Sequence, residues 1–409
     1  MMIKIICSAQ AYTYNAYHIV KAFYPAVEIT NHVEEKASNY VEINFSDGQV
    51  IAVEKEEIKA ETDAEKKAQI DKKLYEKLSE KSGKTLAWGI LTGVRPTKLA
   101  MKKLEEGMES EAFVSWFRQT YLVSEEKARL AWEIAGREKK LLDRLDYEDG
   151  YSLYVGIPFC PTVCTYCSFS SGALEDWKDF VDAYVEALCK ELAFIGEVSK
   201  EKKLNSIYIG GGTPTSLNAR QLERILSCID THFSREYLLE YTVEAGRPDS
   251  ITEEKLQVIK AHKVTRISIN PQTMQQKTLD VIGRKHTVED ICRTYEMARS
   301  LGFDNINMDL IAGLPGETAL DMKDTLEKIG RLQPDSLTVH SLAIKRAAKM
   351  GQEVKAGQEE GRESTLSPEI GEMIRETEKA ADDMGLKPYY LYRQKNIAGN
   401  FENVGYAKV

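Results

Sequence analysis

Three cysteines stand close together in the sequence, at positions 160, 164 and 167. The CxxxCxxC spacing of Cys160, Cys164 and Cys167 lets one loop present three thiolates to a cubane, because cluster iron favours soft thiolate ligands. A structural zinc site would want four ligands, commonly supplied as two CxxC pairs. The sequence has no second pair, and the first histidine after the loop is His232. Three ligands leave one iron of a [4Fe–4S] cluster open, which indicates a catalytic rather than a structural arrangement.

A run of three glycines marks a second candidate site. The segment Gly210-Gly211-Gly212-Thr213-Pro214 follows an apolar run that is typical of a strand. Glycines at a strand end let the backbone approach a ligand closely, and they offer bare N–H and C=O groups. A tight turn that needs a positive φ would explain one of these glycines but not three. The run therefore predicts a ligand-binding loop.

Polar residues accompany the ends of three further predicted strands. Glu244 ends the third strand, Gln272 follows the fourth, and Asp309 lies in the fifth. Arg284, in the loop after the fourth strand, is placed to pair with a carboxylate. Glu244 can also be interpreted as a helix N-cap and Arg284 as a surface residue. Their shared position favours contacts with one ligand.

All these residues belong to a repeated strand–loop–helix pattern that begins at Tyr151. Parallel neighbours need a crossover helix, and right-handed crossovers curl the sheet into a barrel or part of one. The active site of such a barrel lies at the carboxyl ends of its strands. The predicted strands are Tyr151–Ile157, Ser206–Ile209, Leu239–Ala245, Arg266–Asn270, Asn305–Ile311 and Ser336–Ser341. The predicted helices are Phe180–Val198, Ala219–Phe233, Glu253–His262, Val288–Leu301 and Ala319–Leu332.

The cysteine motif after a first strand resembles the hallmark of the radical S-adenosylmethionine (SAM) superfamily, and GGGTP resembles its SAM amino-group motif. The resemblance implies that the open iron binds SAM through its amino and carboxylate groups. It also implies that one electron from the reduced cluster cleaves SAM to methionine and a 5′-deoxyadenosyl radical. The radical abstracts hydrogen from an unactivated carbon, while the barrel supplies placement and exclusion of water.

From Tyr151 to about Ala343 the chain resembles the oxygen-independent coproporphyrinogen III oxidase family. The resemblance rests on YVGIPFC at 154–160, GGGTPT at 210–215 and DLIAGLPGE at 309–317, with Glu244 and Gln272. With GVRPTKL at 93–99 and the N-terminal region, it is greatest to the coproporphyrinogen dehydrogenase (HemZ) branch. The resemblance implies that Tyr154, Gly211 and Glu244 contact the cluster-bound SAM. It implies that a second SAM is contacted by Tyr166, Gly212, Thr213, Gln272, Arg284, Asp309 and Ala343.

The reaction implied by the resemblance is oxidative decarboxylation of coproporphyrinogen III in porphyrin and haem biosynthesis. Hydrogen is taken from the β-carbon of a propionate, carbon dioxide is lost, and a vinyl group remains. A flavodoxin- or ferredoxin-type protein would donate the electron. Arg393 and Lys395 are candidate partners of the substrate propionates, and a solvated loop is the alternative interpretation of both.

Phe169 departs from the pattern of the decarboxylases, which carry another cysteine two positions past the third ligand. The related haem-chaperone branch has phenylalanine there. The second hypothesis is therefore a haem-binding chaperone on the same barrel, with His340 as a candidate axial ligand. The pattern around His340 favours a core histidine over that role. A third is another radical SAM reaction on a tetrapyrrole, such as methyl transfer.

Composition narrows the class of protein further. The 409 residues carry a formal charge of −9, which argues against a nucleic-acid partner because phosphate contacts need a basic footprint. No run of 18 apolar residues occurs, so no membrane span is predicted. The N-terminal apolar stretch is too short for a signal peptide and is typical of a first strand. We expect a cytoplasmic protein.

The expected fold class is α/β, a partial (β/α)6 TIM-like radical SAM barrel with flanking regions. Residues 1–145 are predicted to form an α+β accessory domain with a structural, docking or regulatory role, and 146–345 the barrel. Residues 346–409 are predicted to be a partial α/β extension on the substrate side. This extension is expected to be incomplete, because the family closes its site with a longer C-terminal portion.

Overall fold

The computed structural model describes residues 2–25, 27–93, 95–345, 347–353, 369–393 and 401–408. The chain divides into two compact units, each drawn from several stretches of the sequence. The first contains Met1–Glu138, Ser341–Ala343 and Pro388–Val404, and the second contains Lys139–His340, Ile344–Lys387 and Gly405–Val409. The predicted division at residues 145 and 345 remains a prediction.

The first unit is built on a small sheet covered by helices. Its elements are β1 Met2–Cys7, α1 Gln10–Phe23, β2 Glu28–Val33, β3 Asn39–Phe45, β4 Val50–Glu54, α2 Asp63–Ser82, α3 Pro96–Glu105, α4 Ser110–Tyr121 and α5 Glu125–Leu142, whose last turn belongs to the second unit. In the described residues the strand order is β2-β1-β3-β4, and β3 and β4 form an antiparallel hairpin. Ile3, Ile5 and Ile43 alternate along their strands and are fully buried in the core that α1 and α2 cover.

The second unit is built on a curled, parallel-rich half-barrel sheet, as predicted. Its strands are β5 Gly150–Ile157, β8 Lys203–Gly211, β9 Glu240–Gly246, β10 Arg266–Ile269, β11 Ile306–Ala312 and β12 Ser336–Ser341, and β6 Phe159–Cys160 pairs with β7 Gly172–Ala173. Strand β13 Lys387–Tyr392 falls in the first unit from Pro388 onward, and β14 Asn403–Ala407 belongs to the second unit from Gly405 onward. Its helices are α6 Leu174–Trp177, α7 Val181–Val198, α8 Ala219–His232, α9 Glu253–Ala261, α10 Gln276–Val281, α11 Val288–Ser300, α12 Ala319–Leu332 and α13 Ile370–Asp383. Among the described residues of this unit the strand order is β5-β8-β9-β10-β11-β12, with parallel pairing from β5 to β11.

Alternation along the strands separates a helix-covered face from a polar face. In β5, Leu153, Val155 and Ile157 are buried, whereas Ser152 and Tyr154, which alternate with them, are exposed. Four of the helices that return the chain start at capping side chains, which each contribute about 1 kcal/mol. Asn218, Thr252, Thr287 and Thr318 cap α8, α9, α11 and α12. All the predicted barrel strands and helices are confirmed, with ends within about three residues.

Several elements outside the barrel differ from the sequence-based expectation. Helix α2 begins at Asp63, because the Thr62 hydroxyl accepts from the Glu65 amide and the Glu65 carboxylate accepts from the Thr62 amide. Helices α1 and α4 were not predicted, since aromatic residues spread around them and obscure the helical period. The aromatic stretch at 389–392 is part of strand β13. In the described part of the chain, no helix is long and apolar enough to cross a membrane.

Candidate active site

The cysteine loop lies at the carboxyl end of strand β5, in the second unit. Cys160 ends β6, Cys164 is buried and Cys167 is partly exposed. All seven cysteines fall in the described residues and are free thiols. Burial raises the pKa of the Cys167 thiol, and Cys164 and Cys160 raise it further. The Thr213 hydroxyl donates a hydrogen bond to the Cys160 sulfur at 3.5 Å, which ties the glycine segment to the loop.

The glycines pack the end of β8 against the beginning of the cysteine loop. The amide of Gly212 donates to the carbonyl of Ile157 at 2.7 Å, and the amide of Thr213 donates to that of Phe159 at 2.7 Å. Gly211 has a φ of +111°, and a Cβ there would lie 2.9 Å from the Ile157 nitrogen. A Cβ on Gly212 would lie 2.6 Å from the Phe159 carbonyl oxygen. The glycines were predicted to let a ligand approach the backbone closely. In the structure, the backbone at Ile157 and Phe159 makes that close approach to Gly211 and Gly212.

Arg284 is buried, at 6% exposure, beside the cysteine loop. Its Nη1 donates to the carbonyl oxygen of Asn270 at 2.5 Å. Burial alone would lower the pKa of the guanidinium, but the nearby Tyr166 and Cys164 raise it. The interpretation of Arg284 as a surface residue is therefore wrong, and its charge lies next to the loop that carries the thiols.

Arg247, directly after β9, contacts the loop as well. Its Nη1 donates to the carbonyl oxygen of Thr162 at 2.8 Å, while its Nε and Nη2 donate to the two oxygens of Asp249. Burial would raise the pKa of Asp249, but His286 and Arg247 lower it, so the carboxylate stays ionised. Arg247 and His286 are both almost fully buried.

Glu244 lies on the polar face of the sheet between two tyrosines and a second carboxylate. Tyr208 on β8 donates its hydroxyl to Glu244, and its ring stacks on Tyr154 of β5 with the centroids 5.9 Å apart. Burial raises the pKa of Glu244 to about 7 despite the hydrogen bond from Tyr208, and Asp309 adds to the rise. Tyr154 remains 62% exposed. A cationic ligand here would favour the ionised form of Glu244.

Unpartnered polar atoms lie beyond the end of β10. Gln272 has a φ of 68° and is held by backbone hydrogen bonds with Asp309 and Ile311. In the described structure, the side-chain oxygens of Gln272 and Asn270 are buried without a hydrogen-bond partner. Such atoms cost about 1–3 kcal/mol each unless a donor reaches them. Their position next to Asp309 suits a ligand that carries hydroxyl or amino groups.

The structure brings most of the predicted site residues to one end of the barrel, with two exceptions. Ala343 lies in the first unit, so its place in the site remains a prediction. Arg393 is buried within the first unit, where it donates to the carbonyls of Leu91 and Gly93 and covers the Trp88 ring. The hypothesis that Arg393 pairs with a substrate propionate is therefore wrong. Lys395 lies outside the described residues.

Three residues of the site were not found from the sequence. Tyr208 is recognised only through its register with Tyr154 on the neighbouring strand. Its alternation with Ser206 and Gly210 is the signal that places it on the polar face. Arg247 stands before a proline and suggests a turn, and His286 is an isolated histidine; neither has a motif that separates it from a structural residue.

The residues present fit an iron–sulfur cluster and a cationic, carboxylate-bearing cofactor. The donor set consists of three soft thiols on one loop, and buried acceptors without partners lie at the neighbouring strand ends. Within the described residues, no three His, Cys, Asp or Glu side chains are already gathered as a metal site.

Comparison with known proteins first identifies the superfamily to which the barrel region is similar. The model of the radical SAM superfamily matches residues 154–329. The solved structure of coproporphyrinogen III oxidase (HemN) from Escherichia coli, described as a radical SAM enzyme, has a TM-score of 0.53. It is 24% identical and covers 66% of this chain and 58% of its own, so it supports the fold.

The curated relatives narrow the class to a family. The oxygen-independent coproporphyrinogen-III oxidase-like protein HemZ of Bacillus subtilis is 44% identical over 334 residues, which is 81% of this chain and 66% of HemZ. The haem chaperone HemW of the same organism is 36% identical over 47% of this chain and 50% of its own length. The chain thus spans about two thirds and about half of these relatives, respectively. The chain belongs to the HemN/HemZ family of radical SAM proteins, and a [4Fe–4S] cluster and SAM follow from that membership.

Proposed function

We propose that Cys160, Cys164 and Cys167 hold a [4Fe–4S] cluster with one open iron, at which SAM binds. The observation that carries the proposal is the meeting of the three free thiols with an acidic pocket at the same strand ends. When bound, the cluster supplies the single electron that cleaves SAM to methionine and a 5′-deoxyadenosyl radical. The chain's own residues position SAM and exclude water from it.

Glu244 and Tyr154 would contact the cluster-bound SAM, with Gly211 contributing its backbone. Tyr208 supports this contact, because its hydroxyl fixes the orientation of the Glu244 carboxylate. With a pKa of about 7, Glu244 is partly protonated near neutrality in the free protein. A cationic SAM ammonium would draw the proton off, so binding releases a proton and strengthens as pH rises toward neutrality.

The second group of residues would contact a further SAM molecule. Arg284 is placed to pair with its carboxylate, and the unpartnered oxygens of Asn270 and Gln272 are placed to accept from its ribose or amino groups. Asp309 adds a carboxylate to the same end of the sheet. The remaining members of this group are Tyr166, Gly212, Thr213 and Ala343.

The substrate that the family supports best is a tetrapyrrole. We propose oxidative decarboxylation of the propionates of coproporphyrinogen III to vinyl groups, in porphyrin and haem biosynthesis. Support comes from HemZ, named as a coproporphyrinogen-III oxidase-like protein, and from HemN, named as coproporphyrinogen III oxidase. A flavodoxin- or ferredoxin-type donor would supply the electron that cleaves SAM. The substrate radical would pass one electron to an oxidised one-electron carrier as carbon dioxide leaves and the vinyl group forms. The protein would act in the cytoplasm.

A haem chaperone is the second candidate. Phe169 favours it, because the side chain is 76% exposed at the position where the decarboxylases carry a cysteine. The resemblance to haem chaperone HemW over the barrel supports the same alternative. His340, at the end of β12, is the candidate axial ligand, and His340→Ala would leave the haem spectrum unchanged if another residue binds the iron.

Cluster binding is tested by anaerobic reconstitution of the full chain with iron and sulfide. Cys160→Ala, Cys164→Ala and Cys167→Ala are each expected to lose the cluster absorbance and its iron. Cys292→Ala, which removes a free and partly exposed thiol on α11, is the matched control and should bind as the wild type does. Retention of a full cluster by the loop variants would refute the ligand assignment.

Substrate choice is tested with the reconstituted protein, SAM, dithionite and coproporphyrinogen III. Decarboxylase activity predicts products lighter by one and two units of formic acid, that is, by carbon dioxide and two hydrogens per propionate. Tight haem binding and transfer to an acceptor protein, with SAM cleavage but no vinyl product, would reject the decarboxylase in favour of the chaperone.

A further inference from the structure

The guanidinium of Arg247 lies against the cysteine loop. Its Nη1 donates to both the carbonyl oxygen and the hydroxyl oxygen of Thr162, at 2.8 and 2.9 Å. The same nitrogen lies 3.7 Å from the Sγ of Cys164, within the range of an N–H···S hydrogen bond. Arg247 is 3% exposed and Cys164 is 9% exposed. A permanent positive charge therefore lies beside a proposed cluster ligand in a site largely shielded from water.

Asp249 fixes the direction in which Arg247 points. The Nε of Arg247 donates to one oxygen of Asp249 at 2.9 Å, and its Nη2 donates to the other at 2.6 Å. Behind the carboxylate, the fully buried ring of His286 has its Nδ1 3.6 Å from the nearer oxygen. A two-pronged pair of this kind sets the plane of a guanidinium. With Nε and Nη2 engaged, Nη1 is left to face the loop.

The loop has other attachments to the barrel besides Arg247. The Thr162 hydroxyl donates to the carbonyl of Gly283 at 3.2 Å, and the amide of Thr165 donates to the carbonyl of Ile282 at 3.1 Å. Because these contacts also hold the loop in place, the electrostatic effect of the Arg247 charge can be separated from its structural role in holding the loop. Glutamine at 247 would remove the charge, and lysine would keep the charge but lose the fixed N–H group, while the other attachments of the loop remain.

Hydrogen bonds to cysteine sulfur and nearby positive charge stabilise the reduced form of an iron–sulfur cluster, which carries one more negative charge. The effect is larger where water is excluded, because the local dielectric is low. We propose that Arg247 raises the reduction potential of the cluster by directing an N–H group and a positive charge at the Cys164 sulfur. The proposal rests on the proposed cluster binding by the cysteine loop.

The test is a potentiometric titration of the reconstituted full chain without substrate. Wild type, Arg247→Gln and Arg247→Lys are poised anaerobically with dithionite and redox mediators, and the reduced cluster is counted by its electron paramagnetic resonance signal. Arg293→Gln on α11 is the matched control, because its side chain is 77% exposed and pairs with Asp290. Iron per chain is measured for every variant.

Arg247→Gln is expected to make cluster reduction at least about tenfold less favourable, which is about 59 mV lower in potential for one electron. Arg247→Lys should lie between it and the wild type, since the charge remains but the fixed fork is lost. Arg293→Gln should titrate with the wild type. If Arg247→Gln retains no iron, Arg247→Lys decides: a lowered potential supports the proposal, and an unchanged one overturns it.

The experiment distinguishes failure of the proposed effect of Arg247 on the reduction potential, called the tuning below, from failure of the proposed function. Iron bound at wild-type level with unchanged potentials in both Arg247 variants refutes the tuning and leaves the proposed function standing. A wild-type chain that binds no iron refutes the proposed function, and the tuning with it.

Discussion

Carboxylates at the two ends of the barrel strands differ in their partners and in the direction of their pKa shifts. At the amino ends, Asp335 accepts from Arg299, Lys408 and the Ile306 amide, and these hydrogen bonds outweigh burial and lower the pKa of Asp335. At the carboxyl ends, the neighbours of Glu244 include a phenol, a backbone amide and a second carboxylate, and burial raises its pKa to about 7.

The difference separates a stabilising end from a functional end. Paired charges at the amino ends are satisfied within the protein and contribute to the stability of the fold. The carboxyl ends retain acceptors without partners, at Asn270 and Gln272, and a carboxylate that is costly to ionise. Such groups lower the stability of the ligand-free protein, because in a binding site their hydrogen bonds and charges are satisfied only when the ligand is bound.

The largest expected effect is at the functional end. Glu244→Gln removes the charge that would bind the SAM ammonium but keeps the shape of the side chain. We expect kcat/KM for 5′-deoxyadenosine formation to fall about a thousandfold, as when one member of a buried charge pair is lost. The variant should keep its cluster and unfold at no lower urea concentration than wild type. Full activity in Glu244→Gln would contradict the comparison.

The second prediction concerns pH. The pKa of Glu244 is raised from 4.5 to about 7 in the folded state, so the folded protein holds its proton more tightly. The contribution of Glu244 protonation to the free energy of unfolding is complete below about pH 4.5. This contribution, about 3 kcal/mol in total, is lost as pH rises through about 7. Tyr154, Tyr208 and Asp309 are the titratable groups that face Glu244.

Urea unfolding of the cluster-free wild type and of Glu244→Gln, from about pH 5 to about pH 8, isolates this contribution. The variant is expected to gain stability relative to the wild type as pH rises. Asp335→Asn should differ from the wild type by an amount that stays constant over this range, because a carboxyl whose pKa is lowered loses its stabilisation only below its unfolded value, at more acid pH. If the difference in unfolding free energy between wild type and Glu244→Gln does not change with pH, Glu244 does not have a raised pKa in the folded protein.

The third prediction is at the stabilising end. Asp335→Asn breaks the pairs with Arg299 and Lys408 and leaves a partly buried guanidinium without its carboxylate. We expect a loss of about 2 kcal/mol in unfolding free energy, measured in urea near neutral pH. Cluster content and the KM for SAM should not change. A defect in SAM cleavage by folded Asp335→Asn would show that the two ends are not independent.

The smallest effect is expected from Lys203→Gln. Lys203 pairs with Asp146 at the amino ends of β8 and β5, but both side chains are about one third exposed. Surface pairs of this kind contribute little. The midpoint of urea unfolding should not shift beyond experimental error, and a clear shift would mean that exposed pairs also hold this end together.

Much of the barrel was predictable because the sequence repeats its signals. Apolar strands, caps such as Thr287 and Thr318, and polar residues such as Glu244 at strand ends each mark the same unit. Cys160, Cys164 and Cys167 are recognisable from spacing alone. The site is less completely predictable, because contacts across strands depend on register: Tyr208 enters it only by lying beside Tyr154.

Two residues show where sequence reasoning fails for physical reasons. Arg393 follows three tyrosines and suggests an exposed basic surface, yet it is 5% exposed and bonded to backbone carbonyls. Arg247 suggests an ordinary turn before a proline, yet it contacts the cysteine loop. Burial of a long cationic side chain is decided by partners far away in the sequence, and no local pattern records them.

The central claim is that the carboxyl ends of the barrel generate a radical that attacks a tetrapyrrole propionate. The most direct measurement incubates the reconstituted chain with SAM, dithionite and coproporphyrinogen III deuterated at the β-carbons of its propionates. Mass spectrometry of the 5′-deoxyadenosine is predicted to show one deuterium, together with loss of carbon dioxide from the substrate. 5′-Deoxyadenosine formed without deuterium, and with the substrate unchanged, would contradict the claim.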